Sequence, residues 1–192
     1  MIQLYKANKS NTGHAASISV NSKEGNLYVQ FIKQMGYNEE RHIGSFKGGD
    51  KATVKFNIWE MGALLDSFSR NQPYKTVHQS PNKSVSINAG PYSLDKNDPA
   101  KVSGYSLSIS FKEEGQEQPK RFSISFNFAE RQVFIEYLKF ALNKHFAASY
   151  SEQKKEFEKR TKEKTSTPTK NEVSEPELEA ESGELVDGES LF

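Results

Sequence analysis

The sequence predicts an α+β protein: a duplicated unit of about four antiparallel strands followed by a helix, with a disordered acidic tail behind it. Three observations carry this. The run Val54-Lys55-Phe56-Asn57-Ile58-Trp59-Glu60 returns 70 residues later as Ile124-Ser125-Phe126-Asn127-Phe128-Ala129-Glu130, with the apolar positions, the Asn and the Glu in register. Each copy is preceded by residues that alternate apolar and polar, the period of a half-buried strand. The final 22 residues carry eight acids and no Lys or Arg, a composition that cannot bury enough apolar surface to order itself.

The repeated run reads as strand end, capped turn and helix start. An Asn followed three residues on by Glu is a capping-box pattern: the Asn side chain accepts from the third helical amide, and the Glu reaches back to the cap amide. Two copies of one such unit point to a duplicated fold.

Taken in order, residues 2–7 are the first strand candidate, and residues 8–13 a polar loop. Ala16, Ile18 and Val20 alternate with Ser17 and Ser19, then Leu27, Val29 and Phe31 alternate with Tyr28, Gln30 and Ile32. Residues 35–50 read as a connection, with Gly48-Gly49-Asp50 as a hairpin turn. Ala52, Val54 and Phe56 form the inward face of a fourth strand and leave Lys51, Thr53 and Lys55 outside. A helix is predicted over 58–70, ended by Pro73. Residues 74–78 and 85–87 look like short strands, and residues 90–104, with Pro91 and Pro99, like loop. Tyr105, Leu107, Ile109 and Phe111 alternate with serines, as do Phe122, Ile124 and Phe126 with Arg121, Ser123 and Ser125. Two such runs across a short polar loop predict an antiparallel hairpin.

A second helix is predicted over 128–147. Its polar stripe (Gln132, Glu136, Lys139, Asn143) is narrow, and its apolar arc is wider than one sheet requires. Two readings fit: a helix sunk between two sheets, or a surplus face making an oligomer contact, as a dimer or tetramer. Residues 151–164 either extend this helix or fray. The organisation expected is a binding domain over 1–150, a charged linker over 151–170 and an acidic tail over 171–192.

The 192 residues hold no Cys, so a disulfide framework and thiolate metal sites are excluded. No run is long and apolar enough for a membrane span, and the N-terminus lacks the pattern of a signal peptide, so a cytoplasmic protein with no membrane partner is expected. His14, His42, His78 and His145 have no metal-ligand spacing. No nucleophile elbow or phosphate-binding Gly loop appears, and Glu60 and Glu130 are claimed by capping. Neither an enzyme nor a cofactor is expected.

The net charge of +1 conceals an asymmetry: residues 1–150 carry 19 basic against 13 acidic side chains, and residues 151–170 carry seven against four. A basic body with an acidic end is a sign of nucleic-acid traffic. Binding a single strand needs cations along a groove and flat rings for bases. The candidates are Lys47, Lys51, Lys55, Tyr74, Lys75, Tyr92, Tyr105, Lys120 and Arg121, although Tyr105, like Tyr28, fits a place in the core equally well. An ordinary solvated face that discourages edge pairing explains the lysine row equally well. Trp59, in the first turn of a helix, reads as a packing residue rather than a stacking platform.

In the tail, Glu184, Asp187, Glu189, Leu191 and Phe192 form an acidic tip with an aromatic end. This resembles the tails of bacterial and phage single-stranded DNA-binding proteins. The resemblance implies docking on replication or recombination proteins and a bacterial or phage-infected host cell. Eight negative charges would also compete with DNA at low salt.

Three stretches of the body resemble the Whirly family, whose wider fold relatives include the positive-cofactor-type coactivators. They are Gly25-Asn26-Leu27-Tyr28-Val29-Gln30-Phe31, the helix entry with Glu60-Met61-Gly62-Ala63-Leu64-Leu65, and residues 121–146. Leu4-Tyr5-Lys6-Ala7-Asn8-Lys9 partly matches the family's basic Lys-Gly-Lys-Ala-Ala-Leu motif, which adds Lys6 and Lys9 to the candidate contacts. The resemblance implies two four-stranded sheets, each followed by a helix, and tetramers that bind single-stranded DNA with little sequence preference. The reading it favours is a protein that coats and protects single-stranded DNA in replication, recombination or repair. An RNA-binding protein or transcription cofactor on the same fold, and a protein-interaction scaffold, are the alternatives.

Overall fold

The computed structural model describes residues 1–165 apart from 96, 99, 114, 116 and 117, and side chains as far as residue 162. The expected tail and the last five residues of the linker, 166–170, lie outside the described residues. Two compact units are present, Met1–Lys154 and Lys155–Phe192. In the second, the described residues are helical and exposed, with Arg160 and Glu156 paired at 3.8 Å.

In the first unit, β1 (Ile2–Lys6), β2 (His14–Val20), β3 (Leu27–Lys33) and β6 (Lys51–Phe56) form one antiparallel sheet in the order β1-β2-β3-β6. A short hairpin, β4 (Gly36–Asn38) with β5 (Ile43–Ser45), stands between β3 and β6 in the chain. Helix α1 (Ile58–Arg70) follows. The second sheet, in the order β10-β9-β8-β7, comprises β7 (Tyr74–Ser80), β8 (Lys83–Tyr92), β9 (Gly104–Glu113) and β10 (Lys120–Phe126). Helix α2 runs from Phe128 to Thr165.

The duplication is real at the level of atoms. Asn57 accepts from the Glu60 amide at 3.0 Å while the Glu60 carboxylate accepts from the Asn57 amide at 2.9 Å. Asn127 and Glu130 repeat both bonds at 2.8 Å. Helix α1 ends at Arg70, and Asn71 closes it in the left-handed conformation at φ 59°. Arg131, in the first turn of α2, donates to the Phe68 and Ser69 carbonyls at 2.6 and 3.1 Å, satisfying the open end of α1.

One core joins both sheets and both helices. Ile18, Leu27, Phe31 and Phe56 from the first sheet, Ile87, Leu107 and Phe126 from the second, and Leu64, Phe68, Phe134 and Leu138 from the helices are all buried in it. Helix α1 packs on β8, β7 and β6. Gly25, in the turn between β2 and β3, abuts the backbone of His145 on α2: a Cβ there would lie 2.3 Å from its Cα. Phe122, near the start of β10, meets Phe31 and His14 of the first sheet. Glu130, just past the end of β10, meets Lys6 on β1. Strand β10 therefore passes along one end of the first sheet, from β3 towards β1.

Several sequence expectations change. The 35–50 connection contains the β4–β5 hairpin, whose three-residue strands are too short for an alternation to register. Gly48-Gly49 is a turn between strands of different sheets, not a hairpin turn. Strand β8 continues through Gly90, Pro91 and Tyr92, where loop was expected; Gly90 adopts φ 141° and lets the strand proceed. Helix α2 extends through the charged segment instead of fraying, and it is not sunk between the sheets. It buries Phe134, Ile135, Leu138 and Ala141, while Phe128, Val133, Phe140 and Phe146 are exposed.

Candidate nucleic-acid interface

Register defines what each sheet shows to solvent. On the first sheet the outward rungs are Gln3–Ser17–Gln30–Thr53, Tyr5–Ala15–Ile32–Lys51 and Ser19–Tyr28–Lys55. The lysines thus stand on β6, an edge strand; Tyr28 lies inside the same face on β3, and Tyr5 stands on the opposite edge strand, β1. On the second sheet the outward rungs are Arg121–Ser110–Ser86–Val77, Ser123–Ser108–Asn88–Lys75 and Ser125–Ser106–Gly90. This is a carpet of short hydroxyls with one cation on each edge strand. Hydroxyls both donate and accept, and they lie flat enough to let a sugar–phosphate chain approach the sheet.

Two depressions meet where β10 passes the first sheet. One, of about 400 Å³, is lined by His14, Ser86, Asn88, Ser108, Ser110, Arg121 and Ser123, among others. The other, of about 320 Å³, is lined by Asn11, Thr12, Gly13, His14, Lys33 and Arg121. Sharing His14 and Arg121, they form one groove from the hydroxyl carpet to the end of the first sheet. Buried Gln34 fixes the loop on its far side. It accepts from the Asn8 amide at 2.9 Å and donates to the Asn8 carbonyl at 2.8 Å, the Asn11 side chain at 3.1 Å and the Gly36 carbonyl at 2.9 Å.

The groove is basic. Among the described residues neither Lys33 nor Arg121 pairs with an acid, and Lys33 Nζ rests 5.2 Å from the centre of the Phe122 ring. Burial, and then the charge of Lys33, push the pKa of His14 below the ordinary 6.5; the Arg121 backbone opposes them only in part. His14 Nε2 is buried and has no hydrogen-bond partner.

The residues expected at the interface separate into groups. Arg121 lines the groove. Lys9, Lys47, Lys51, Lys75 and Lys120 are exposed. Lys55 is exposed but bonded to Glu24 at 3.2 Å, and each holds the other's charged form: the Lys55 pKa is raised and the Glu24 pKa lowered. Lys6 is held by Glu130 at 2.6 Å. Tyr74 lies on the inward side of β7, half-buried, and burial raises its phenol pKa. Tyr92, also half-buried, packs over Gly104.

Tyr105 corrects the sequence reading. It is 1% exposed, stacked on Phe68 at 5.6 Å, and covered by Arg131 at 4.5 Å, with its hydroxyl donating to Asn71. It is a core residue and no base can reach it. Trp59 corrects it in the opposite direction: expected to pack, it is 84% exposed.

Sequence reasoning missed His14, Lys33 and the serines. A signal for the first two was present. Lys6, His14 and Lys33 fall on the inward parity of their strands, in line with Leu4, Ala16 and Phe31, and form one rung, Lys6–His14–Lys33. Three basic residues in a row at core-facing positions mark a place where the core face opens to solvent.

No family model matches the chain, and no curated protein matches it. Solved structures do. WHY1 from Arabidopsis thaliana superposes with a TM-score of 0.55 at 16% identity, covering 79% of this chain and 90% of that one. The plant transcriptional regulator PBF-2 gives 0.55 at 13%, covering 78% and 84%. This chain has a Whirly-like fold. A guide-RNA-binding protein complex bound to a gRNA shares the architecture at a TM-score of 0.53 and 14% identity, covering 74% of this chain and 88% of that one. The Whirly-like expectation of two four-stranded sheets, each followed by a helix, therefore holds.

Proposed function

We propose that this chain is a non-enzymatic single-stranded DNA-binding protein with little sequence preference. The observation that carries the reading is the groove where β10 passes the first sheet. There Arg121 and Lys33, both without acidic partners among the described residues, border a floor of serine hydroxyls. The cations neutralise phosphates, and the hydroxyls bond to sugar and phosphate oxygens without reading bases. Exposed Tyr5 on the first sheet, 6.0 Å from Phe46, offers a ring for stacking. Neighbours of the same fold are described as a plant transcriptional regulator and as a protein bound to guide RNA, which supports a nucleic-acid ligand.

Two further parts belong to this proposal. Val133 and Phe140 lie seven residues apart on an exposed flank of α2, and this flank mates with other copies in a dimer or tetramer. The acidic tail, through Leu191 and Phe192, recruits replication or recombination proteins.

Binding of labelled oligo-dT by fluorescence anisotropy tests the reading, with the full chain and a version ending at Lys170. Micromolar or tighter binding by both, stronger without the tail at low salt, is expected. No binding by either removes the nucleic-acid reading and leaves the scaffold. Because a neighbour of this fold holds RNA, oligo-rU is the competitor. Preference for rU would make the ligand RNA, with the 2′-hydroxyl as the handle.

A further inference from the structure

At the end of the first sheet the inward rung Lys6–His14–Lys33 leaves the core and meets Arg121 from β10. Its members are not equivalent. Lys6 is neutralised by Glu130 at 2.6 Å. Lys33 and Arg121 are cations without acidic partners among the described residues. His14 stands between Lys6 and Lys33 in the rung with a buried, unpartnered Nε2, and it lines both depressions of the groove. The remainder of its own strand, Ala15 to Val20, carries no charge. Among the described residues the charged groups set against it are Lys6, Lys33 and Arg121, with Glu130 behind Lys6 and Asp50 beyond Lys33, whose amide donates to the Asp50 carbonyl at 2.9 Å.

We propose that this rung and Arg121 form a phosphate seat in which His14 gains a proton when a nucleic-acid phosphate binds, so that binding takes up a proton and strengthens as pH falls. The inference rests on the nucleic-acid reading above and adds its regulation. Empty, the seat disfavours a charged imidazole: a cation at His14 would lie among Lys33 and Arg121, and an Nε2–H would have nothing to bond. A seated phosphate reverses both conditions. Its negative charge offsets the two cations, and its oxygen is an acceptor for the new N–H. A proton therefore moves from solvent to Nε2 as the phosphate enters; no covalent bond changes. The lowered pKa of free His14 agrees with the empty state described. By linkage, affinity rises about tenfold for each unit by which the pKa of His14 rises on binding.

Oligo-dT affinity is measured by anisotropy from about pH 8 to about pH 5.5, spanning the ordinary histidine pKa, for the full chain and for His14→Gln. The expected result is a several-fold rise for the full chain and a flatter profile for the variant, whatever the variant's affinity at the alkaline end. An equal rise in both, or none in the full chain, overturns the proposal while leaving DNA binding intact. Absence of binding at every pH overturns the nucleic-acid reading itself, and this inference with it. A measurement on the unmutated chain guards against a folding defect in the variant: the His14 ring resonances are titrated by NMR with and without oligo-dT. Their midpoint must move to higher pH on binding; an unmoved midpoint is disproof.

Discussion

Lys6 Nζ lies 2.6 and 2.7 Å from the two carboxylate oxygens of Glu130, tying edge strand β1 to the third residue of α2. The relationship is reciprocated. His78, on β7, bonds through Nε2 to Glu60, the third residue of α1. In each copy the glutamate that closes the capping box is therefore also held by a basic residue on the first strand of the other copy. The two halves are fastened at equivalent points, and the same carboxylates define each helix start.

The Lys6–Glu130 pair predicts an acid-sensitive contribution to stability. Burial raises the Glu130 pKa, but Lys6 and the Asn127 backbone outweigh it and leave the pKa below the ordinary 4.5. A depressed carboxylate stabilises above its unfolded value, and the contribution disappears as pH falls through the folded one. Lys6→Ala is expected to cost about 1 kcal/mol in urea unfolding near neutrality, as for a partly exposed pair. The difference from the unmutated chain should narrow in acid, as pH falls through the lowered folded pKa and the carboxylate is protonated. An equal loss near neutrality and in acid would assign the effect to the packing of the lysine stem.

The approach of α2 to the β2–β3 turn predicts that Gly25 is irreplaceable. It sits at φ 69°, and an added Cβ would lie 2.3 Å from the Cα of His145. Gly25→Ala thus combines left-handed strain with overpacking against backbone, together about 2–4 kcal/mol. Gly48 provides the comparison: it has φ 78°, and an added Cβ would have no atom within 4 Å. Gly48→Ala should cost only about 1 kcal/mol. Urea midpoints of the two variants decide; similar losses would mean that the contact with α2 is easily relieved.

The two misread aromatics give opposite expectations. Tyr105→Ala should cost about 3–5 kcal/mol, the range for emptying a packed aromatic site, because its ring sits between Phe68 and Arg131. Trp59→Ala should stay within about 0.5 kcal/mol, since the indole is 84% exposed. Trp59 is the single tryptophan of the chain. Its emission should therefore already be that of a hydrated indole in the folded protein and be readily quenched by acrylamide. A blue-shifted, protected emission would mean that Trp59 is covered, as in an assembly of several copies.

These aromatics show why the fold was more legible than the site. Alternation and helical spacing report which residues share a face, and from them came eight of the strands, both helix starts and the capping boxes. They do not report whether a face lies outward at a given point along the strand. Tyr105 shares parity with Leu107 and Ile109, so its burial was readable, but a tyrosine near cations also matched a stacking platform. His14 and Lys33 share parity with buried residues as well, yet they become a groove wall because the sheet ends there and β10 crosses it. That crossing depends on how the two sheets pack, and no local pattern encodes it. The β4–β5 strands escaped for a simpler reason, since three residues are too few to establish a period of two.

Salt dependence separates the groove from the paired lysines. Each phosphate neutralised on a single strand contributes about −0.7 to the slope of log affinity against log salt, so about five contacts give a slope near −3.5. Arg121→Ala and Lys33→Ala should each make that slope shallower by about 0.7, because each removes a cation with no acidic partner in the groove. Lys55→Ala should change it less, since Glu24 already holds that ammonium at 3.2 Å. Lys75, on the far edge of the hydroxyl carpet, is the marker of path length. If a strand crosses the whole second sheet from Arg121 to β7, Lys75→Ala will flatten the slope as Arg121→Ala does. If the strand instead turns from Arg121 to Lys33 and onto the first sheet, Lys75→Ala will leave the slope unchanged, and Lys51→Ala will flatten it. Anisotropy titrations of oligo-dT at four or so salt concentrations for these variants trace the path; slopes unaltered by Arg121→Ala and Lys33→Ala would place the nucleic acid elsewhere on the molecule.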